Sequence, residues 1–444
     1  MSKNAREVAL RILHLIETQG AFTNETIAKL VGAYCNTPLQ VNYLDKRFIT
    51  ELVIGTTKFR KRIDYCLSFF LKKDIMDLTP WIRNILRMGV YQLDFLNKVP
   101  ASAVVNESVK LAKRFGHQGT VGLVNGVLRS YLREKEKVKF PEEPDEYLSV
   151  FYSFPLWMIE YWIDHFGKEN TIKLCEYFNS RPRLCFRINS LRVNKKDFEK
   201  ALDESKLQYK KGDFLDNFYY IESRLDLENF LPFQEGWIYV QDESAGFSVL
   251  LLDPKPDETI LDLCVAPGGK AIYIAELMKN KGKIIGVDLS AERIEITRKN
   301  CEKFGTKIIQ LCVGDATNFS YKPVDRVLVD APCTGLGVLG RNADSRWRKQ
   351  PEDIKRLSSL QKSILLNSAN LVKKRGTLVY STCTLTLAEN EGVIQDFLKE
   401  RKDFRLIDPS KFVEKKLVDK KSTVKFFPFR DNLDGGFCCR MEKK

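Results

Sequence analysis

Apolar residues recur at helical spacing through the first third of the chain. Ala5, Val8, Ala9, Ile12 and Leu13 share one face of a 3.6-residue repeat. Phe48, Leu52 and Val53 continue it, then Ile63, Cys66, Leu67 and Phe70, then Ile82, Ile85, Leu86, Val90 and Leu93. No strand-like alternation interrupts them. Residues 1–137 are therefore predicted to form an all-α bundle with short polar connections. From Arg133 to Glu146 the chain turns rich in Glu, Lys and Pro and reads as a linker. Phe154 to Phe166 carries a further helix. At Leu184, Phe186 and Ile188 the period changes to two, with Cys185 and Arg187 between them. That predicts a half-buried strand with cations on its open face. With short strands near Phe218–Ile221 and Ile238–Val240, residues 138–235 form the linker and a small α+β module.

Residues 236–444 read as α/β. Gln241 to Ala245 begins a helix, and Ile260, Leu261 and Leu263 mark a buried strand. Pro267, Gly268 and Gly269 break that pattern, and Lys270 opens a helix through Ile274, Leu277 and Met278. Strand, Gly-rich turn and helix let the backbone pass close beneath a ligand and aim N–H groups at an anion. Further strands are predicted at Ile284–Asp288, Ile308–Val313, Arg326–Asp330 and Thr377–Ser381. Each carries polar residues at its C-terminal end: Asp288, Asp315, Asp330 with Cys333, and Cys383 after Ser381 and Thr382. Ligands bind at such ends in open α/β sheets. Pro351 starts a long amphipathic cover helix, and Glu389-Asn390-Glu391 precede another. Phe404–Ile407 and Gly436–Met441 are expected to close the sheet.

The turn lacks a full G-x-G-x-x-G, and no G-x-x-x-x-G-K-[ST] surrounds it. A nucleoside with a charged amino-acid tail, S-adenosylmethionine, suits it better. The carboxylate would meet the loop, the ribose Asp288 and the adenine the Asp315 region.

Composition adds a partner. Lys and Arg number 72 against 58 Asp and Glu, a net charge of +14 among 444 residues. That excess points to a polyanion, with RNA the obvious one. No run of about 18 apolar residues occurs, so no membrane span is expected. Met1–Asn4 lead into an amphipathic helix and not a signal peptide. Eleven cysteines without a C-x-x-C pair, and only three histidines, suggest reduced thiols in the cytoplasm and no metal site.

Three motifs together carry a resemblance. Cys264-Val265-Ala266-Pro267-Gly268-Gly269-Lys270, Asp330-Ala331-Pro332-Cys333-Thr334-Gly335 and Ser381-Thr382-Cys383 resemble the RNA cytosine-5 methyltransferases. Gly337–Arg341 and Asp344–Trp347 match that family's following loop, with Asn342-Ala343 where many members have His-Pro. Ile54–Lys58, Leu86–Tyr91, Val105–Lys110 and Asn125–Arg129 resemble the NusB-like fold, an RNA-binding helical module. On that reading Lys58, Arg60, Lys61 and Arg62 line an RNA face. Arg187 and Asn189 of the central module would touch phosphate or base. Across nearly the whole chain the resemblance is to the RsmB-type (Sun) small-subunit ribosomal RNA methyltransferases.

The resemblance implies a NusB-like domain, an RNA-recognition-like module and a Rossmann-like class I S-adenosylmethionine-dependent methyltransferase domain. It implies methylation of carbon 5 of a cytosine in small-subunit ribosomal RNA, free or partly assembled, by a monomer. Carbon 5 is a poor nucleophile until a thiolate adds to carbon 6. Two cysteines at strand ends suit attack and release, and the residues alone do not say which attacks. By resemblance Cys383 attacks, Cys333 assists release, Asp330 stabilises the adduct and Lys270 favours the thiolate. The cofactor set would be Cys264 to Lys270, Asp288, Arg293, Asp315 and Asp330. Rival readings are another RNA substrate such as tRNA, a DNA cytosine enzyme, which would typically lack the Thr-Cys cysteine, and a non-catalytic antitermination factor.

Overall fold

The computed structural model describes residues 5–35 and 43–444, so Met1–Asn4 lie outside the described residues. The chain divides into two compact units. One holds the chain up to Ser180 together with Leu339–Arg348, and the other holds Arg181–Val338 with Lys349–Lys444.

The described part of the first unit contains helices and no strand. Helices Ala5–Gln19, Tyr43–Lys58, Pro80–Phe95, Ala101–Phe115 and Gln118–Glu134 pack around Ile12, Leu52, Ile85, Leu86 and Leu128, all fully buried. Thr79 caps Pro80–Phe95 through its hydroxyl, and the proline sits in the first turn, where no N–H is needed. The Arg133–Glu146 stretch is shorter as a connection than its composition suggests. Helix continues to Glu134, a 3₁₀ turn covers Lys135–Lys137, and Pro144–Phe151 is helix again. Val138 and Phe140 between them pack on the core. Helices Leu156–Phe166 and Lys168–Asn179 complete the unit.

Of the four cations expected on an RNA face, Lys58, Lys61 and Arg62 turn inward instead. Lys58 is buried and its ammonium donates to the Ser180 carbonyl at 3.0 Å. Burial and the charge of Arg346 push it down to about 7, with Glu51 opposing. Lys61 donates to the Ser149 hydroxyl, Arg62 lies 4.5 Å above the Phe151 ring and Arg60 lies 4.6 Å above Trp347. Long stems cover apolar surface while the heads find carbonyls and ring faces. Leu339–Arg348 packs among these groups. Trp347 Nε1 donates to the Thr57 carbonyl at 2.7 Å, and the fully buried Arg346 donates to Asn179 Oδ1 at 2.9 Å.

The second unit holds two sheets. The smaller comprises β1 (Leu184–Ile188), β2 (Tyr209–Lys211), β3 (Phe218–Ile221) and β4 (Ile238–Val240), antiparallel in the order β2-β3-β1-β4. The larger comprises β5 (Thr259–Leu263), β6 (Lys283–Asp288), β7 (Ile309–Val313), β8 (Val324–Asp330), β9 (Val372–Thr382), β10 (Phe404–Leu406), β11 (Val424–Phe426) and β12 (Gly436–Lys443). Its order is β10-β12-β9-β8-β5-β6-β7, with β11 beside β12. β5 to β9 pair in parallel, and β12 and β10 are antiparallel additions. The order reverses between β5 and β8, the switch point where such sheets hold ligands. Helix Pro351–Asn370 covers one face through Leu357, Ile364 and Leu365.

β1 corrects one expectation. Arg187 is not on an open face, and Asn189 does not reach solvent either. Arg187 pairs with Glu276 at 2.6 Å and lies 4.1 Å above the Tyr273 ring. Asn189 donates to the carbonyls of Gly236 and Phe304, both at 2.9 Å. Period two identified the strand, but both of its faces are covered, so its polar side chains act as internal ties. Neither meets RNA. Among the described residues no helix is long and apolar enough to cross a membrane.

Candidate active site

The Gly-rich turn joins β5 to helix Gly269–Leu277. Backbone bonds shape it: Val265 N–H donates to the Val287 carbonyl at 2.9 Å and Gly268 N–H to the Val265 carbonyl at 2.7 Å. Gly268 has φ 99°, and a Cβ there would lie 2.8 Å from Thr297 Cγ2. Only glycine satisfies both conditions. Cys264 precedes it at φ 142°, a region costly for a residue with a side chain. Burial and the neighbouring carboxylates hold its thiol well above the ordinary range, so it stays protonated.

Asp288 ends β6 and is buried. It accepts from the N–H groups of Ala266 at 3.3 Å and Ser290 at 3.1 Å, and Arg293 pairs with it at 3.2 Å. Arg293 also donates to the Ala266 carbonyl at 2.6 Å, tying the turn to helix Ala291–Phe304. Asp315 follows β7, and its carboxylate accepts the N–H and hydroxyl of Thr317 at 2.9 and 2.8 Å.

The remaining predicted groups meet at the ends of β8 and β9. Asp330 ends β8 and forms an ion pair with Lys270, the second residue of the helix after the turn. Burial works against the Lys270 charge, but Asp330, Cys383 and Asp262 together raise its pKa above the ordinary lysine value. Cys333 and Cys383 stand 3.2 Å apart, sulfur to sulfur. Cys383 is exposed, whereas Cys333 is half-buried. With Cys333 as donor, this contact and the Lys270 charge lower the Cys383 thiol, against desolvation at its base and the charge of Asp330. The same bond, then burial, raises Cys333. One proton thus stays on Cys333 while Cys383 is the readier thiolate.

Two groups here escaped the sequence reading. The first is Glu389, fully buried in a π turn, Ala388–Gly392. Its carboxylate accepts from Thr334 N–H at 2.8 Å, Thr334 Oγ1 at 2.5 Å, Thr386 Oγ1 at 2.6 Å and Gln361 Nε2 at 3.0 Å. The Thr334 and Thr384 hydroxyls also bond each other at 2.7 Å. Each threonine directly follows one of the cysteines, so one carboxylate holds both cysteine loops. Asn390 adds a bond from Thr382 at 2.6 Å and one to the Thr384 carbonyl at 3.1 Å. The only sequence signal was a polar triplet heading an amphipathic helix, which reads as a helix start.

The second is Asp262, inside β5. It is buried, and neither carboxylate oxygen has a hydrogen-bond partner. Burial first, then the charges of Asp330 and Asp288 against that of Lys270, push it up to about 8. An acid in the run Ile260-Leu261-Asp262-Leu263 was the available signal.

A parallel sheet with a switch-point glycine turn, acids at successive strand ends and an antiparallel β12 define the Rossmann-like methyltransferase class. Comparisons with known proteins narrow it. The family model described as 16S rRNA methyltransferase RsmB/F matches residues 249–442, the NusB family residues 3–133 and the RsmF/B-like ferredoxin-like domain residues 154–228. The probable ribosomal RNA small subunit methyltransferase B of Bacillus subtilis is 35% identical over 99% of both chains. The Synechocystis protein of the same description is 37% identical, again over 99% of each. The solved structure of PH0851 superposes with a TM-score of 0.84 at 27% identity and covers all of both chains. NSun6 from Pyrococcus horikoshii with SFG gives 0.57 at 21% identity, over 64% of this chain and 97% of that one, a likeness of fold. The chain belongs to the RsmB/F family of 16S rRNA methyltransferases, in the branch that carries a NusB domain.

Proposed function

We propose that the protein methylates carbon 5 of a cytosine in small-subunit ribosomal RNA, through a covalent adduct on Cys383, with S-adenosylmethionine as methyl donor. The observation that carries this reading is the thiol pair: two cysteines 3.2 Å apart on adjacent strand ends, beside the Lys270–Asp330 pair. A structural role would not call for two unbridged thiols at an exposed strand end, one of them lowered in pKa.

The strand ends fit the donor. The unpartnered Asp262 carboxylate is the complement of an ammonium, and the Gly268 turn leaves backbone open to a carboxylate. Asp288 is the acid for the ribose, Asp315 lies beyond it, and Arg293 holds the turn against Asp288. The SFG bound to the similarly folded NSun6 agrees with a nucleoside site in this fold. When bound, S-adenosylmethionine supplies a methyl group on a sulfonium.

The protein's own groups do the rest. Lys270 favours the Cys383 thiolate, which forms a bond to carbon 6 and pushes electrons toward carbon 5. Asp330, half-exposed beside Lys270, bonds the ring nitrogen or amino group as charge develops there. Once carbon 5 carries the methyl group, its proton must leave to a base. Electrons then return to expel Cys383 as thiolate. Cys333, still protonated and in contact with that sulfur, assists its departure. Glu389 acts on neither ring nor cofactor; it is a positioning residue that sets the spacing of the two thiols.

Bisulfite mapping of ribosomal RNA from cells with and without the protein tests the reading. A single protected cytosine in 16S RNA that disappears with the gene is expected. Unchanged 16S protection, with a lost mark in tRNA or none at all, overturns the substrate assignment.

A further inference from the structure

The helical unit contains a cavity of about 220 Å³. Thr56, Arg60, Asn84 and Arg87 line it, with Trp347 and Arg348 from the Leu339–Arg348 segment. Glu17 and Asp344 also reach it, but both are taken. Glu17 forms ion pairs with Arg83 at 3.0 Å and Arg87 at 3.1 Å and accepts a hydrogen bond from Asn84 at 2.6 Å. Asp344 pairs with Arg348 at 2.9 Å and accepts the Thr23 N–H at 3.4 Å. Arg87 is held by Asp64 through two bonds of 2.7 Å.

Arg60 is the charge left over. Its guanidinium lies 4.6 Å above the Trp347 ring, and it has neither hydrogen bond nor ion pair among the described residues. Burial and the neighbouring charges of Arg87 and Arg83 act on it together, and the charges of Asp64 and Glu17 do not offset them. Thr56 is buried on the same wall, and its hydroxyl has no partner. A crowded cation, a spare hydroxyl and a volume several times the roughly 30 Å³ share of one water describe a site for an anion with oxygen acceptors.

We propose that this cavity binds a phosphate group, and that its source is the phosphodiester backbone of the RNA substrate. The RNA source rests on the family's substrate; the anion chemistry rests on the cavity alone. The bound phosphate lies on Arg60 and accepts from Thr56.

The test uses full-length protein, wild type and Arg60→Gln, and RNA affinity measured across a salt series. Each phosphate contact to single-stranded RNA contributes about 0.7 to the slope of log affinity against log salt. Arg60→Gln should flatten the slope by about that amount and weaken binding several-fold at low salt. Arg60→Lys, which keeps the charge, should recover most of the slope. Inorganic phosphate and cytidine monophosphate are then titrated while the Trp347 indole signal is followed by NMR, with Trp347→Phe for assignment. Millimolar binding that RNA displaces supports the proposal. An unchanged salt slope in folded Arg60→Gln overturns it. Tight binding of the mononucleotide that RNA fails to displace overturns the RNA source. If Arg60→Gln does not fold, an indole signal in wild type that ignores both phosphate and RNA overturns the site. Binding needs no methyl transfer, so failure of the cytosine chemistry would leave this result readable.

Discussion

The turn after β5 and the cysteine pair after β8 and β9 lie at the same edge of one sheet, yet they are built differently. The turn is shaped by its own neighbourhood: a glycine at φ 99°, backbone bonds within a few residues, and Asp288 about 20 residues on. The cysteine pair depends on distance in the chain. Cys333 and Cys383 are brought within 3.2 Å by parallel pairing that sets Asp330 opposite Ser381. Their loops are then tied by Glu389, which accepts from Thr334, 55 positions earlier. A ligand cradle can be local because it offers backbone. A pair of thiols in contact cannot be, because its two side chains come from the ends of separate strands.

Breaking the pair itself should have the largest effect. Cys383→Ala should lose methylation by about 10³-fold or more and form no covalent RNA adduct on a denaturing gel. Cys333→Ala should still attack and transfer methyl, but should stall with RNA attached and give a shifted band. The reverse pattern would make Cys333 the nucleophile. Both changes remove little volume, so neither opens a large cavity.

Loosening the tie comes next. Glu389→Gln replaces an acceptor of five donors by an amide that cannot accept from all of them. Turnover should fall by about 10²-fold, as expected from sub-ångström misplacement of reacting groups. Affinity for S-adenosylmethionine, read by calorimetry, should not change. A parallel loss of cofactor affinity would mean that the two regions are one cooperative structure.

Straining the turn gives the opposite signature. Gly268→Ala forces a side chain to φ 99° and into Thr297, which costs roughly 1–2 kcal/mol and about a tenfold rise in cofactor Kd. The adduct band of the Cys333→Ala background should survive.

Asp262 acts on stability with pH rather than on catalysis, and its effect has a definite sign. Its folded pKa, about 8, lies above that of an exposed carboxyl, so the folded state holds the proton that the unfolded state releases. Stability is therefore fully present below about pH 4 and is lost as pH rises toward 8, by up to roughly 1.4 kcal/mol per unit. Asp262→Asn should flatten that part of the melting-temperature profile and melt higher than wild type at pH 8. A profile identical to wild type would mean that Asp262 titrates normally.

Short-range physics made much of this molecule readable. Helical spacing of apolar residues found the bundle, and strand runs with polar ends found β5 to β9 and the acids and thiols at their tips. Glycine, proline and charge marked the turn after β5, since only backbone conformation and nearest neighbours set it. Which polar groups face inward was decided by the tertiary structure. Arg187 was assigned to solvent by alternation, but a second layer covers its strand and Glu276 neutralises it. Lys58 and Arg62 looked like an RNA face until carbonyls and aromatic rings from later helices enclosed them. Leu339–Arg348 sits between the two cysteine motifs in sequence and groups with the helical unit in space. Glu389 looked like a helix start and is the anchor of both cysteine loops. Polarity along a chain marks which groups need partners. Whether the partner is water, RNA or a side chain hundreds of positions away is settled only when the layers close, because burial is a property of the packed whole.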